Sequence, residues 1–322
     1  MPKLVTRIGT LSTPSKVSIR FTNLTQRLCL FAILSAAPIV QAQQIALTFD
    51  DLPAHSSLPP GETRLQVATS IIAALKQAHV PPVYGFVNGV RTQEDSATIH
   101  VLEAWRSAGF PLGDHSWSHM NPNTHTLADF KADILHNQPL LSQQMGSADW
   151  HWFRFPFLAE GDTPEKRSEI RAFLAQQGYR IATVTMTFAD YSWNDPYARC
   201  SAKGDARAIA QLEASYLDAA DKSIPFYRKM SATLYGRDIP YVLLMHLGAF
   251  DARMLPRLLD LYRSRGFTFV TLEQAEADEF YKTSIQPALP AGPDGLEAAM
   301  SARHLPLPPR EKLSLVLESL CK

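Results

Sequence analysis

Two adjacent carboxylates, Asp50 and Asp51, end the apolar run Ile45-Ala46-Leu47-Thr48-Phe49. Charge at the edge of a core is costly without a partner, so a cation is expected to face them. Taken alone, such a pair more often divides into a turn cap and a solvated carboxylate. A second cluster changes that balance. Gly113-Asp114-His115-Ser116-Trp117-Ser118-His119 carries two histidines four residues apart, which lets both imidazoles leave one helical turn in the same direction. With a carboxylate they supply the three protein ligands of an open catalytic metal site. A bare His-x3-His is usually two histidines with separate roles, but beside Asp50-Asp51 it reads as a metal centre.

Three further clusters carry chemistry. In Phe153-Arg154-Phe155-Pro156-Phe157 a guanidinium is set among aromatics, where it usually answers a carboxylate. Asp190-Tyr191-Ser192-Trp193-Asn194-Asp195 puts aromatics next to carboxylates, which suits a sugar platform and equally a capped loop. Leu243-Leu244-Met245-His246 ends an apolar run in a side chain suited to proton transfer near neutral pH.

The elements that must position these clusters alternate short apolar runs with helical-period segments, the pattern of an α/β domain with a largely parallel sheet. Strands are expected at Ile45 to Phe49, Val83 to Val87, Phe110 to Leu112, Trp152 to Phe155, Ile181 to Val184, Tyr241 to Met245 and Phe267 to Val270. Helices are expected at Arg64 to Ala78, Ala97 to Ala108, Leu127 to Met145, Pro164 to Gln177, within Ala206 to Tyr235, and at Ala252 to Arg265, with Thr163 and Asp251 as N-caps. The polar clusters then fall at the C-terminal ends of strands, where parallel α/β folds gather their active sites. Periodicity alone allows either a closed barrel or an open doubly wound sheet.

The 322 residues are 46% hydrophobic and 19% charged, enough for one large core and unlike either a disordered chain or a membrane bundle. Residues 1–42 contain five basic residues and no acid, then the apolar run Leu28 to Val40 and the small-x-small sequence Val40-Gln41-Ala42. This reads as a signal peptide, with the protein exported to the periplasm or beyond and no stable membrane span after cleavage. Removing those five leaves 26 basic against 31 acidic residues, a formal charge of −5, which argues against nucleic acid as a partner. The expected organisation is therefore residues 1–42 as signal peptide, 43–282 as catalytic domain, and 283–322 as a Pro-rich extension ending in a short helix at Glu311 to Leu320. Cys200 and Cys321 either form a disulfide tying the tail to the body or remain free thiols.

Thr-Phe-Asp-Asp, His-Ser-x-x-His, Arg-x-Pro-Phe, Asp-x-x-Trp and Leu-x-x-His, in that order over Gln44 to Ala275, resemble the polysaccharide deacetylase family, the NodB-homology carbohydrate esterases of family 4. The resemblance implies a distorted (β/α) barrel of about seven strands. It also implies a divalent metal, commonly zinc with cobalt, nickel or manganese as alternatives, held by Asp51, His115 and His119. Asp50 would then be the general base steered by Arg154, and His246 the general acid oriented by Asp190. Phe157, Trp193 and Pro156 would shape the acetyl pocket. The implied substrate is an acetylated polysaccharide or oligosaccharide, with an N-acetylglucosamine polymer such as peptidoglycan or chitin ahead of acetyl-xylan. A small-molecule amidase on the same metal site and a non-catalytic glycan-binding module are the rival readings. The sequence departs from the family pattern at Leu52-Pro53-Ala54-His55, where many members have Gly-Pro, at Leu158, and in the long segment from Pro196 to Tyr235.

Overall fold

The computed structural model describes residues 43–310 and 317–322. The expected signal peptide and most of the expected final helix lie outside the described residues; of the latter, Leu317–Ser319 forms a single 3-10 turn. Residues Ala42–Lys322 make one compact unit. Its seven parallel strands are β1 (Gln43–Leu52), β2 (Tyr84–Val87), β3 (Leu112–Asp114), β4 (Trp152–Phe153), β5 (Arg180–Ile181), β6 (Tyr241–His246) and β7 (Phe267–Phe269). The main path runs β5-β4-β3-β2-β1-β6, and β7 pairs with the first residues of β1.

Each strand is followed by helix, as parallel pairing requires. The helices are α1 (Arg64–Gln77), α2 (Val90–Glu94), α3 (Ile99–Ser107), α4 (Leu127–Met145), α5 (Pro164–Gln176), α6 (Asn194–Ala202), α7 (Ala206–Tyr235), α8 (Ala249–Ser264), α9 (Leu272–Glu276), α10 (Lys282–Ile285) and α11 (Gly295–Ala302).

The sheet curls because the chain leaving β5 crosses to the opposite edge. The amides of Thr185 and Met186 donate to the Val242 carbonyl at 3.1 and 3.0 Å, and Leu244 N–H returns to Met186 O at 3.0 Å. The expected strand Ile181 to Val184 is therefore only two residues long: its continuation belongs to β6, which makes a distorted α/β barrel of the expected class. β3 runs two residues further than expected, into the second motif, because Gly113 and Asp114 pair with Phe86 and Val87. Gly113 is required there, since a Cβ would lie 2.7 Å from the Phe86 ring and 2.8 Å from the Trp152 carbonyl.

Side-chain alternation along β1 decides which residues reach the site. Ile45, Leu47 and Phe49 pack outward with the helices, whereas Ala46 joins Tyr84, Phe86, Trp152 and Val242 inside the barrel. Thr48 and Asp50 share the parity of Ala46. Every residue from Ile45 to Asp50 is buried, as a strand covered on both faces should be.

Five helices were not expected: α2, α9 and α10, each of four or five residues, and the longer α6 and α11. α6 follows directly from the 3-10 turn Asp190–Trp193, and α11 lies within the expected Pro-rich extension, burying Leu296, Ala299 and Met300. Asp251 is not the cap of α8. Gly248 holds that position, and Asp251 is buried in the first turn, accepting from Asn194 Nδ2 and Tyr216 Oη at 2.8 Å each. Among the described residues no helix is long and apolar enough to cross a membrane.

Cys200 and Cys321 are joined in a disulfide across 121 residues of sequence. A cross-link closing so long a loop restricts the unfolded chain by about 4–5 kcal/mol in the entropic account, and loss of a native disulfide typically costs about 2–5 kcal/mol. Cys200→Ser with Cys321→Ser should therefore lower unfolding free energy by about 2–5 kcal/mol, measured by urea titration. Equal stability of the oxidised and dithiothreitol-reduced wild type would contradict this.

Candidate active site

Arg154, directly after β4, is 1% exposed. Its Nη1 lies 3.3 and 3.4 Å from the two Asp50 oxygens, its Nη2 donates to Thr48 Oγ1 at 3.1 Å, and its Nε donates to the Ala182 carbonyl at 2.7 Å. The guanidinium also lies over the Phe86 ring, 4.6 Å from its centroid. Burial pushes the Asp50 carboxyl up to about 6, against the lowering pull of Arg154. Asp50 is thus ionised at neutral pH yet basic enough to take a proton.

Asp51 follows Asp50 on a strand and would ordinarily point to the opposite face. A positive φ of 62° at Asp51 breaks the alternation and brings its carboxylate back to the same mouth. Asp51 Oδ1 lies 3.5 Å from His115 Nε2 and 3.4 Å from His119 Nε2. That oxygen is buried with no hydrogen-bond partner. Burial raises the Asp51 carboxyl, but the hydrogen bond from His55 and the charges of His246, His115 and His119 outweigh it and hold the group well below the ordinary carboxylate range.

The two histidines are oriented by a network whose members lie far apart in sequence. His115 Nδ1 is 2.8 Å from the Arg154 carbonyl, which makes it the donor and leaves the Nε2 lone pair free. Asn137 on α4 donates to the Val87 carbonyl at 2.7 Å and to Asp114 Oδ1 at 2.8 Å, and Asp114 also accepts from Ser116 N–H at 2.8 Å and from Tyr179 Oη. Asn88 donates to the His115 and Ser116 carbonyls at 2.6 and 3.0 Å, and Asp133 accepts from Ser118 N–H and Oγ at 3.0 and 2.9 Å. Ser116 and His119 both carry positive φ, so His119 comes round to face Asp51. Burial lowers both imidazoles to about 4, so both are neutral and able to ligate at pH 7.

Asp51, His115 and His119 can each offer one donor atom, all within 4.8 Å of one another. An orphaned carboxylate oxygen facing two neutral imidazole lone pairs suits a divalent cation in a three-ligand open site. The expected ligand set therefore fits the group.

His246, at the end of β6, pairs in register with Asp50. Its Nδ1 lies 3.0 Å from Asp190 Oδ1, and its backbone N–H donates to Asp190 Oδ2 at 2.6 Å. Burial lowers the imidazole, but the Asp190 charge and hydrogen bond dominate and raise it to about 10, so it is protonated at pH 7 with its Nε2 side left for the site.

The remaining expected residues divide. Phe157 is 62% exposed, has a positive φ, and packs 4.4 Å from the His119 ring at the rim, with Pro156 buried beside it. Trp193 lies in the core, fully buried between Phe188 and Tyr216 with its indole N–H on Ser215 Oγ at 2.9 Å. Tyr191 is the exposed aromatic of that motif, 5.2 Å from the His246 ring. A cleft of about 690 Å³ beside it is lined by His55, Tyr191, Asp195, Arg199, Glu318 and Lys322 among others.

A sequence model of polysaccharide deacetylases matches residues 39–182, which hold Asp50, Asp51, His115, His119 and Arg154. This region belongs to the polysaccharide deacetylase family. No curated protein sequence matches the chain. Among solved structures, the chitin deacetylase of Colletotrichum lindemuthianum is similar with a TM-score of 0.51 at 20% identity, over 73% of this chain and 88% of that one. A carbohydrate esterase family 4 pseudoenzyme from Bacillus anthracis gives 0.51 at 13% identity, over 73% and 66%. At these identities the likeness is one of fold. His246 and Asp190 lie beyond the matched region and are placed by the barrel itself.

Removing Arg154 would strand a buried carboxylate, and breaking a buried pair typically costs about 3–5 kcal/mol. Arg154→Met should show that loss in urea unfolding, and Asp50→Asn with Arg154→Met should recover part of it. His246 supplies a second test in the metal-free protein. Its folded pKa lies above the unfolded value, so its stabilisation is complete below about pH 6.5 and is lost as pH rises through about 10. The stability margin of wild type over Asp190→Asn should shrink across that window, whereas a constant margin would deny the His246–Asp190 charge contact.

Proposed function

We propose that the protein is an exported, metal-dependent deacetylase acting on the N-acetyl groups of a glycan. The observation that carries this reading is the placement of a cation-ready donor set, Asp51, His115 and His119, with a carboxylate of raised pKa and a protonated imidazole on neighbouring strands. A divalent cation in that set, zinc being the usual choice, would polarise the acetyl carbonyl and bring the pKa of water toward about 7.

The residues then divide the proton work. Asp50, fixed by Arg154, accepts a proton from the attacking water. His246, held through Nδ1 by Asp190, delivers its proton from Nε2 to the departing nitrogen. An amine leaves poorly unless protonated, so an imidazolium kept charged at neutral pH supports amide over ester cleavage. The cleft lined by His55 and Tyr191, whose rings lie 4.7 and 5.2 Å from that of His246, falls within the roughly 300–1,000 Å³ of small-ligand sites, and Tyr191 gives it an exposed aromatic face for a sugar ring. Phe157 stands exposed over the His119 ring, with Pro156 buried behind it. A polymer of N-acetylglucosamine, as in peptidoglycan or chitin, is the leading substrate. A silent glycan-binding module would be expected to have lost part of the polar set, and here Asp50, Asp51, His115, His119, Arg154, Asp190 and His246 are all present and brought together.

Export is supported by the basic, acid-free leader and by the Cys200–Cys321 disulfide, which persists in oxidising compartments.

The test is acetate release from peptidoglycan, chitin oligomers and acetyl-xylan, with and without chelator. We expect release from the first two and its abolition by chelator. Asp50→Asn should retain metal and lose about 10²- to 10⁴-fold in turnover, whereas Asp51→Ala should lose the metal. Release undiminished by metal removal, or identical behaviour of the two variants, would overturn the assignment.

A further inference from the structure

His55 stands in the segment where the chain departs from its family's pattern, and it enters the site. Its Nδ1 lies 2.8 Å from Asp51 Oδ2, and its ring centroid is 4.7 Å from that of His246. The loop holding it is anchored from two sides: Arg64 donates to the carbonyls of His55 and Ser56, and Asp195 accepts from Ser57 N–H at 3.0 Å. The two oxygens of Asp51 thereby differ. Oδ2 is committed to His55, while Oδ1 is buried without a hydrogen bond and faces the two histidine Nε2 atoms.

A free carboxylate can rotate about its Cβ–Cγ bond and present either oxygen, or both. A donor on one oxygen fixes the plane and offers the other. A carboxylate oxygen accepts in such a contact, so the His55 Nδ1 is the donor to Asp51 Oδ2, while the buried Nε2 meets no protein partner. His55 is not itself among the side chains whose donor atoms converge.

We propose that His55 is a positioning residue for the metal centre: its Nδ1–H locks the Asp51 carboxylate so that Oδ1 alone is presented as a single-oxygen ligand beside His115 and His119. The inference rests on the metal-site reading above and assigns the role of the divergent Leu52-Pro53-Ala54-His55 segment. Partners that orient a ligand in this way are typically worth about 10- to 100-fold in metal affinity.

The experiment measures zinc affinity of the full chain at pH 7 by competition with a chromophoric chelator. His55→Ala and His55→Phe should both bind zinc about 10- to 100-fold more weakly, the second keeping ring volume without the donor. His55→Asn, whose Nδ2 can stand where Nδ1 did, should return to within about threefold of wild type. Thermal melts of the metal-free variants check that the loop still folds. Wild-type affinity in His55→Phe, or an asparagine variant as weak as phenylalanine, overturns the proposal while leaving the metal site standing. Absence of stoichiometric zinc from the wild type overturns both.

Discussion

The buried contact between Arg154 and Asp50 is the constraint on which the site depends. Through its side chain Arg154 reaches Asp50 and Thr48 on β1, the Phe86 ring on β2 and the Ala182 carbonyl just past β5; through its backbone it donates to the Asp114 carbonyl and accepts from His115. One residue thus fixes the Asp50 carboxylate, one imidazole tautomer and the spacing of the strands that carry them. Ion pairs in such surroundings add little net stability, because desolvation consumes most of the attraction. What this pair adds is geometry: a carboxylate that cannot turn away and a histidine that presents the correct nitrogen.

Much of this was legible in the sequence because it follows short-range rules. The carboxylates ending one apolar run and the histidine ending another placed the chemistry at strand ends, and α4 falls at its expected bounds, Leu127–Met145; His115 and His119 converge too, but through a non-helical bend and not from the one helical turn that their spacing suggested. Other features were hidden because their cause lies far away in the chain. Asn137 and Asp133 show no local sign that they hold the second motif, being placed there only when α4 packs on β3. The return of Asp51 and His119 to one mouth depends on left-handed backbone at non-glycine residues, which propensity disfavours and tertiary contacts impose. Trp193 was expected at the substrate because it is aromatic and adjacent to Asp190; the same apolar surface seats it in the core and leaves Tyr191 outside.

The site is assembled from two stretches of different character. Residues 39–182 match the family model and hold Asp50 and the candidate ligands. The imidazolium half comes later, from β6 and the turn at Asp190, and its supports are again buried polar groups: Asn194 joins Asp251, which burial and the Asp190 charge push well above the ordinary carboxylate range. Closure of the barrel through Met186 brings the two halves to a common mouth.

The in-register pairing of Asp50 with His246 makes the proposed catalysis a checksum on strand alignment. Slip β6 by one residue and the imidazole leaves the mouth together with its hold on Asp190, while Leu247 or Met245 takes its place opposite Asp50. A chain that closed its barrel one residue out would be compact and nearly as hydrophobic inside, yet chemically silent. Activity per folded molecule therefore reports the fidelity of assembly, a quantity that stability measurements alone would miss.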